Sequence, residues 1–332
     1  MSKTKTASTR IATAALLALA AGAASAQSKV TLYGLMDMSV GSTKNVGGEA
    51  IIGAESGKMS TSYFGLSGTE DLGNGLSAFF TLDSFMRMDS GASGRFNGDA
   101  FWARNAFVGL SSKDLGTVRA GRNTTPLFVS TLLFNAFGDS FGYSPSIRHY
   151  FTSGTVTGDS GWSDSVQYLT PTWSGFSAGA IIAAGEGAGG KNYGVNAGYN
   201  SGAFASALVW QHAYKDPSTT SPLDNTETWQ LNGSYDFGAA KLFGQYGEVD
   251  NKSIHRDYKI FGLGATINVG AGKILAQYGQ ISASAGPDRK TFSIGYDYWL
   301  SKRTDLYLVG MSDQLDGQSD GASYSLGLRH RF

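Results

Sequence analysis

Apolar and polar residues alternate one by one along much of this chain. Residues 322–332 are mostly apolar or aromatic at even-numbered positions and small or cationic at odd-numbered positions, and the last residue is Phe332. Residues 229–237 and 292–300 repeat the alternation. In a β-strand, such residues point to opposite faces, and strands with lipid on one side and water on the other show this pattern. The alternation therefore predicts transmembrane β-strands.

Sixteen segments of this kind follow one another along the chain. Most exceed the roughly 5–6 residues of a strand in a globular protein and approach the roughly 9–11 residues that cross a bilayer at a tilt. After residue 26, no continuous apolar run approaches the roughly 20 residues of a transmembrane helix. The approximate strand cores are residues 29–40, 58–70, 76–88, 100–112, 116–123, 163–170, 175–184, 192–200, 203–213, 226–237, 240–249, 256–269, 272–281, 289–299, 304–313 and 322–332.

The connections between these segments alternate between short turns and longer polar stretches. The longer stretches are residues 42–57, 89–99, 124–162, 215–225 and 314–321. Short turns at one rim and long loops at the other are typical of outer-membrane barrels, which have an even number of strands. A β-sandwich also has many strands, but they are shorter and its turns are not sorted in this way. We expect an all-β fold: one 16-stranded antiparallel transmembrane β-barrel with no internal domain boundary.

Residues 1–26 have the layout of a secretory signal peptide. Lys3, Lys5 and Arg10 precede an apolar run at residues 11–21, and the small residues Ala24-Ser-Ala26 follow it. This order of charge, apolar core and cleavage site is typical of exported chains. We expect a cleaved signal peptide at residues 1–26 and the barrel domain at residues 27–332.

Charge and cysteine content narrow the possible functions. Loss of the three signal-peptide cations changes a balance of 26 cations and 26 acids to 23 and 26, a formal charge of −3. Nothing in this balance indicates a nucleic-acid partner. The chain contains no cysteine, which excludes disulfides and thiol-based chemistry.

No catalytic constellation is visible in the sequence. None of the four histidines belongs to a Gly-x-Ser-x-Gly motif or has a partner at metal-ligand spacing. Hydrolysis by a nucleophile would require a histidine and an orienting group beside it. We therefore expect no enzyme activity, no cofactor and no metal.

Several motifs resemble the trimeric general porins of β-proteobacterial outer membranes. They lie at residues 30–34, 62–76, 104–112, 115–123 and 295–304, and in the ending Gly327-Leu-Arg-His-Arg-Phe332. The resemblance covers the whole mature chain. It implies a homotrimer in the cell outer membrane whose third external loop, here residues 124–162, folds into each pore. It further implies as partners outer-membrane lipid and lipopolysaccharide, the barrel-assembly machinery and small hydrophilic solutes.

Charged residues that face each other across a narrow gap would form the filter of such a pore. By alternation Asp83 faces the lumen, and Asp139 lies in the inserted loop; the resemblance assigns constriction acids to these two positions. The candidate opposing cations are Arg104, Arg119, Arg122 and Arg87. Arg119 points inward by alternation. Arg104 and Arg122 share the parity of apolar neighbours, so they can line the pore only if a bulge or a strand end turns them.

Two inward positions depart from the porin pattern. Tyr63 and Gln167 stand where related porins often carry a cation. We therefore include both among the constriction residues and expect weak ion selectivity. Phe332 is expected to close the barrel, because the last strand must cover the edge of the first strand.

Three kinds of protein fit these patterns. A passive diffusion pore for small hydrophilic solutes and ions is the main prediction, and a substrate-selective channel and an adhesin or receptor barrel are the alternatives. The many small and polar residues at inward positions favour an open channel over a sealed scaffold.

Overall fold

The computed structural model describes residues 29–156, 158–185, 190–214 and 225–332. The expected signal peptide and most of the expected loop at residues 215–225 lie outside the described residues. The described residues form one antiparallel sheet of seventeen strands and two short helices. The strands are β1 (Lys29–Lys44), β2 (Ile51–Ser56), β3 (Tyr63–Gly73), β4 (Leu76–Phe85), β5 (Asn105–Ser112), β6 (Gly116–Thr124), β7 (Gly161–Leu169), β8 (Phe176–Ala183), β9 (Asn192–Ser201), β10 (Phe204–Ala213), β11 (Thr226–Asp236), β12 (Ala240–Asn251), β13 (Arg256–Val269), β14 (Gly272–Ala283), β15 (Arg289–Trp299), β16 (Thr304–Leu315) and β17 (Gly321–Arg331), and the helices are α1 (Pro126–Leu133) and α2 (Pro145–Phe151).

The sheet closes on itself through its first and last strands. β1 pairs with β17, starting with Leu35 opposite Arg331, and the first part of β1 pairs with β3 on its other side. The backbones of Gly34 and Phe332 exchange two hydrogen bonds of 3.1 Å. A Cβ on Gly34 would lie 2.6 Å from the Phe332 ring, so the ring crosses β1 where there is no side chain. The C-terminal aromatic residue thus lies at the seam that closes the barrel.

Sixteen of the seventeen strands correspond one to one to the predicted segments, so the predicted 16-stranded antiparallel barrel is confirmed. The additional strand, β2, lies inside the stretch at residues 42–57 that the sequence indicated as a loop. Within the described ranges it pairs only with the far half of β1, from Met38 opposite Ser56 to Thr43 opposite Ile51. A strand of six residues beside a glycine-rich turn gives too short a pattern to be recognised from sequence.

Exposure alternates along the strands as the sequence pattern requires. In β17, Tyr324 and Leu326 are 59% and 55% exposed, whereas Ser325 and Arg329 are 0% and 7% exposed. The exposed set is apolar and forms the outer face of the barrel, and the polar set forms the inner face. Outward apolar and inward polar residues are the arrangement of a barrel whose wall contacts lipid.

The connections are short at one rim and long at the other. Asn74 and Gly75 form the tight β3–β4 turn with positive φ angles of 53° and 77°, a conformation that asparagine and glycine tolerate. At the opposite rim, 19 residues (86–104) join β4 to β5 and 36 residues (125–160) join β6 to β7. Neither helix within the described ranges is long and apolar enough to cross a membrane.

Candidate functional site

The longest connection in the described part of the chain, residues 125–160, contains both helices and is called the long segment here. Each helix begins with a capping hydroxyl followed by proline. The Thr125 side chain accepts a hydrogen bond of 3.2 Å from the Phe128 backbone N–H, and the Ser144 side chain accepts one of 3.2 Å from Ile147. Such caps satisfy N–H groups at a helix start, and proline is favoured at the first helical position. The local sequence therefore determines where both helices start.

Helix α2 is fixed to the inner face of β14–β16. Arg148 pairs with Asp313 at 2.9 Å, and His149 Nε2 lies 2.8 Å from the Thr291 hydroxyl. Just before the helix, the hydroxyls of Tyr143 and Ser325 are 2.5 Å apart. Burial, together with the nearby Arg289 and Arg148 cations, lowers the pKa of His149 to about 3, so its ring is neutral near pH 7.

Helix α1 is fixed to the inner face of β10–β12 by its polar side. Gln230 donates a hydrogen bond of 2.9 Å to the Thr131 hydroxyl, and Asn232 donates one of 2.7 Å to the Ser130 hydroxyl. Leu127, which is fully buried, packs with Val209 and other apolar side chains of the wall. The long segment thus contacts inward-facing residues on strands that are distant in sequence.

Asp83 is the centre of a hydrogen-bonded group on the opposite wall. It is 1% exposed and accepts hydrogen bonds from Tyr33 (2.5 Å), Arg104 (2.7 Å) and Asn105 (2.9 Å). The Arg104 guanidinium lies 4.0 Å from the centre of the Tyr63 ring. Arg104 precedes β5, so the end of that strand frees it from the outward parity of its neighbours. The structure brings together three candidates, Asp83, Arg104 and Tyr63.

Arg119 and Gln167 form a second pair on the same wall. They are register partners in β6 and β7, and the Gln167 side-chain oxygen accepts a hydrogen bond of 2.8 Å from Arg119 Nε. The Arg119 guanidinium also lies 4.8 Å from the centre of the Phe107 ring. None of the ion pairs among the described residues includes Arg119.

Arg122 lies apart from the other candidates. The register of β6 and β7 shifts between Gly121 and Asn123, and this bulge releases Arg122 from strand parity. Its guanidinium bonds to Asp159 at 2.5 Å, and Asp159 also pairs with Arg95 at 2.6 Å. Burial alone would raise the pKa of Asp159, but the hydrogen bond and charge of Arg95 and the Arg122 cation lower it below its ordinary value. These ion pairs connect the end of the long segment to the loop at residues 86–104.

The remaining two candidates have polar partners outside these groups. Asp139, in the long segment, accepts a hydrogen bond of 2.9 Å from Ser60. Arg87 donates one of 2.8 Å to Asn97 and lines the cavity nearest the long-loop rim. The sequence thus pointed to nine positions, including Phe332, that the structure distributes over several sites.

Sequence reasoning missed an inner-wall cluster around Arg329. Its guanidinium pairs with Asp297 and Asp305, both at 2.7 Å, and donates a hydrogen bond of 3.2 Å to Ser60. Asp37, fully buried, accepts hydrogen bonds from the backbones of residues 59 and 60. The shared inward parity of these strand residues could have indicated the cluster, but not its ion pairs.

Three cavities follow one another between the long segment and the barrel wall. The outer, middle and inner cavities have volumes of about 610, 390 and 280 Å³. Phe141 lines both the outer and the middle cavity, while Arg119 and Val129 line both the middle and the inner cavity. Asp83, Arg104 and Asp139 also line the middle cavity. Among the described residues, no group of three or more His, Asp or Glu side chains could hold a metal.

A closed barrel with an apolar outer face and a polar lumen is the architecture of a transmembrane channel. The chain belongs to the Gram-negative porin family, whose model matches residues 12–318. It is therefore an outer-membrane porin, a channel and not an enzyme.

Individual relatives agree with this assignment. Outer membrane porin protein 32 of Delftia acidovorans is 34% identical over 312 residues, which cover 88% of this chain and 86% of the relative. The structure of an anion-selective porin from Comamonas acidovorans matches with a TM-score of 0.80 and 27% identity, covering 92% of this chain and all of the other. The trimer form of OmpT from Vibrio cholerae has the same fold, with a TM-score of 0.68, 17% identity and coverage of 92% and 99%.

Proposed function

We propose that small hydrophilic solutes and ions diffuse passively through the three cavities, and that the long segment lies in the lumen and narrows this route. The observation that carries the proposal is the lining of the middle cavity. Strand residues such as Asp83 and Arg119 bound it on one side, and Phe128 and Asp139 of the long segment bound it on another. A long loop in a compact domain generally has a function, and restriction of the passage is the function that this position supports.

The charges around the middle cavity favour weak ion selectivity. Two cations, Arg104 and Arg119, line it together with two acids, Asp83 and Asp139. Charges that line a narrow passage attract ions of opposite sign, but here the two signs balance. Tyr63 and Gln167 add no charge. We therefore propose a weakly selective pore, in contrast to the relative described as anion-selective.

The proposal includes the assembly and setting that the porin resemblance implies. A homotrimer fits the trimer form of a fold relative and would conduct in steps grouped by three. Lipid and lipopolysaccharide would contact the apolar outer face, and the barrel-assembly machinery would insert the chain after export through a cleaved signal peptide at residues 1–26. Deletion of Phe332 should lower the yield of folded barrel, since its backbone pairs with Gly34 at the seam.

Single-channel recording in a planar bilayer tests the route. Removal of residues 128–141 should raise the unitary KCl conductance, because these residues line the passage but belong to none of the sheet's strands. A matched control shortens the loop at residues 316–320, none of which lines the three cavities. An unchanged conductance in the first variant would overturn the constriction, and a folded barrel that never conducts would favour an adhesin or receptor scaffold.

A further inference from the structure

The two sides of helix α1 have the opposite polarity to that expected of a helix beside an aqueous passage. Its polar residues Ser130 and Thr131 are 5% and 0% exposed and bind the barrel wall. Its apolar residues Phe128, Val129 and Leu132 are half-buried and line the middle cavity. The helix therefore presents apolar surface to the passage and hydroxyl groups to the protein.

An aromatic residue from outside the helix extends this apolar surface. The rings of Phe128 and Phe141 are stacked, with centroids 5.7 Å apart and an interplanar angle of 22°, and both rings line the middle cavity. We call Phe128, Val129, Leu132 and Phe141 the apolar strip. Apolar surface left in water is unfavourable by about 25 cal/mol per Å², and a contiguous exposed patch commonly marks a binding site.

The wall of the same cavity carries a cation with an unused charge. Arg119 bonds to the neutral amide of Gln167 and belongs to no ion pair within the described ranges. Arg104, by contrast, is paired with Asp83. A guanidinium without a carboxylate partner is well suited to bind a carboxylate. The cavity therefore combines an apolar strip with an unpaired cation, and its unpaired acid, Asp139, accepts a hydrogen bond from Ser60.

We propose that the middle cavity preferentially binds small anions that carry a flat apolar ring, such as aromatic carboxylates, as they pass. The ring would lie against the apolar strip and the carboxylate would bind Arg119. The volume of about 390 Å³ falls within the range of roughly 300–1,000 Å³ typical of small-molecule sites. This inference rests on the proposed function, because it takes the middle cavity to be part of the conducting route.

Block of the KCl current by three probes tests the inference. Benzoate has the ring and the charge, benzamide has the ring without the charge, and acetate has the charge without the ring. Benzoate should reduce the single-channel current at concentrations at which benzamide and acetate do not. If all three probes act equally, the cavity has no preference and the inference is wrong.

Single variants test which residues of the middle cavity produce the block by benzoate. Leu132→Ser and Arg119→Gln should each raise the half-blocking concentration of benzoate about threefold to tenfold, as expected for loss of one apolar or ionic contact. Leu133→Ser is the control for the strip, because Leu133 lines the inner cavity. Lys241→Gln is the control for charge, because Lys241 lines none of the three cavities.

The outcomes separate this inference from the proposed function. Equal half-blocking concentrations in Leu132→Ser and Leu133→Ser would overturn the role of the strip. Equal values in Arg119→Gln and Lys241→Gln would overturn the role of Arg119. Absence of any KCl conductance in the wild-type protein would contradict the proposed function itself.

Discussion

Helices α1 and α2 lie in one segment and start in the same way, yet their surroundings differ. Thr125-Pro126 and Ser144-Pro145 cap them with the same hydrogen-bond pattern. In α2, Ile147 and Tyr150 are both fully buried, whereas Leu133 at the end of α1 is 57% exposed. A similar local signal thus produces one helix whose apolar side chains are enclosed by the protein and one with several apolar side chains that line the middle cavity.

The difference arises from the strands that each helix contacts. The wall near α2 presents Asp313, which accepts hydrogen bonds from Arg148, Arg289 and Thr291. The wall near α1 presents neutral amides, which bind only the polar side of that helix. Capping therefore determines where a helix starts, and the charges and amides of the wall determine which of its sides stays accessible. On this basis α2 holds the long segment to the wall, and α1 presents apolar side chains to the middle cavity.

The largest expected effect is a loss of stability when Asp313, which binds Arg148 of α2, is replaced. Asp313 is 1% exposed, and Asp313→Ala would leave Arg148 and Arg289, whose side chains are only 13% exposed, without their carboxylate. Loss of one member of a buried ion pair typically lowers the free energy of unfolding by about 3–5 kcal/mol. The midpoint of denaturant unfolding of the purified barrel measures this loss. Asp316→Ala is the control, since Asp316 is exposed; equal midpoints for the two variants would refute the anchoring role.

Cysteine accessibility tests whether the apolar side chains of α1 are accessible to water while those of α2 are enclosed. The chain has no cysteine, so single variants report on one position each. Leu132→Cys should react with a charged, water-soluble thiol reagent about a hundredfold faster than Ile147→Cys, because a buried thiol reacts only when the fold opens locally. Modification at position 132 should also lower the KCl current. The wild type, which has no thiol, is the unreactive control. Similar reaction rates at positions 132 and 147 in the folded barrel would contradict the difference between α1 and α2.

The sequence predicted the barrel far better than it predicted the site. Strands of a transmembrane barrel alternate with a period of two, and this period is visible in any single segment. The long segment is fixed instead by contacts such as Arg148–Asp313, which join residues 165 positions apart, and no local pattern encodes such a pair. Arg104 and Arg122 show the same limit: parity placed them outward, and only a strand end and a bulge allow their inward contacts.

The smallest expected effect concerns ion selectivity at the wall that faces α1. Asp83→Asn would remove the acid that pairs with Arg104, and Tyr63→Arg with Gln167→Arg would add two cations beside Arg104 and Arg119. Two charges about 4 Å apart interact by roughly 4 kcal/mol at an intermediate dielectric, although salt screens most of this energy in an aqueous pore. Both changes should therefore shift the zero-current potential across a tenfold KCl gradient modestly toward anions.

Asp114→Asn, at an exposed turn position, should leave the potential unchanged. A strongly anion-selective wild type, or equal potentials in all variants, would show that other charges control the passage. The two cations and two acids around the middle cavity would then contribute nothing to selectivity.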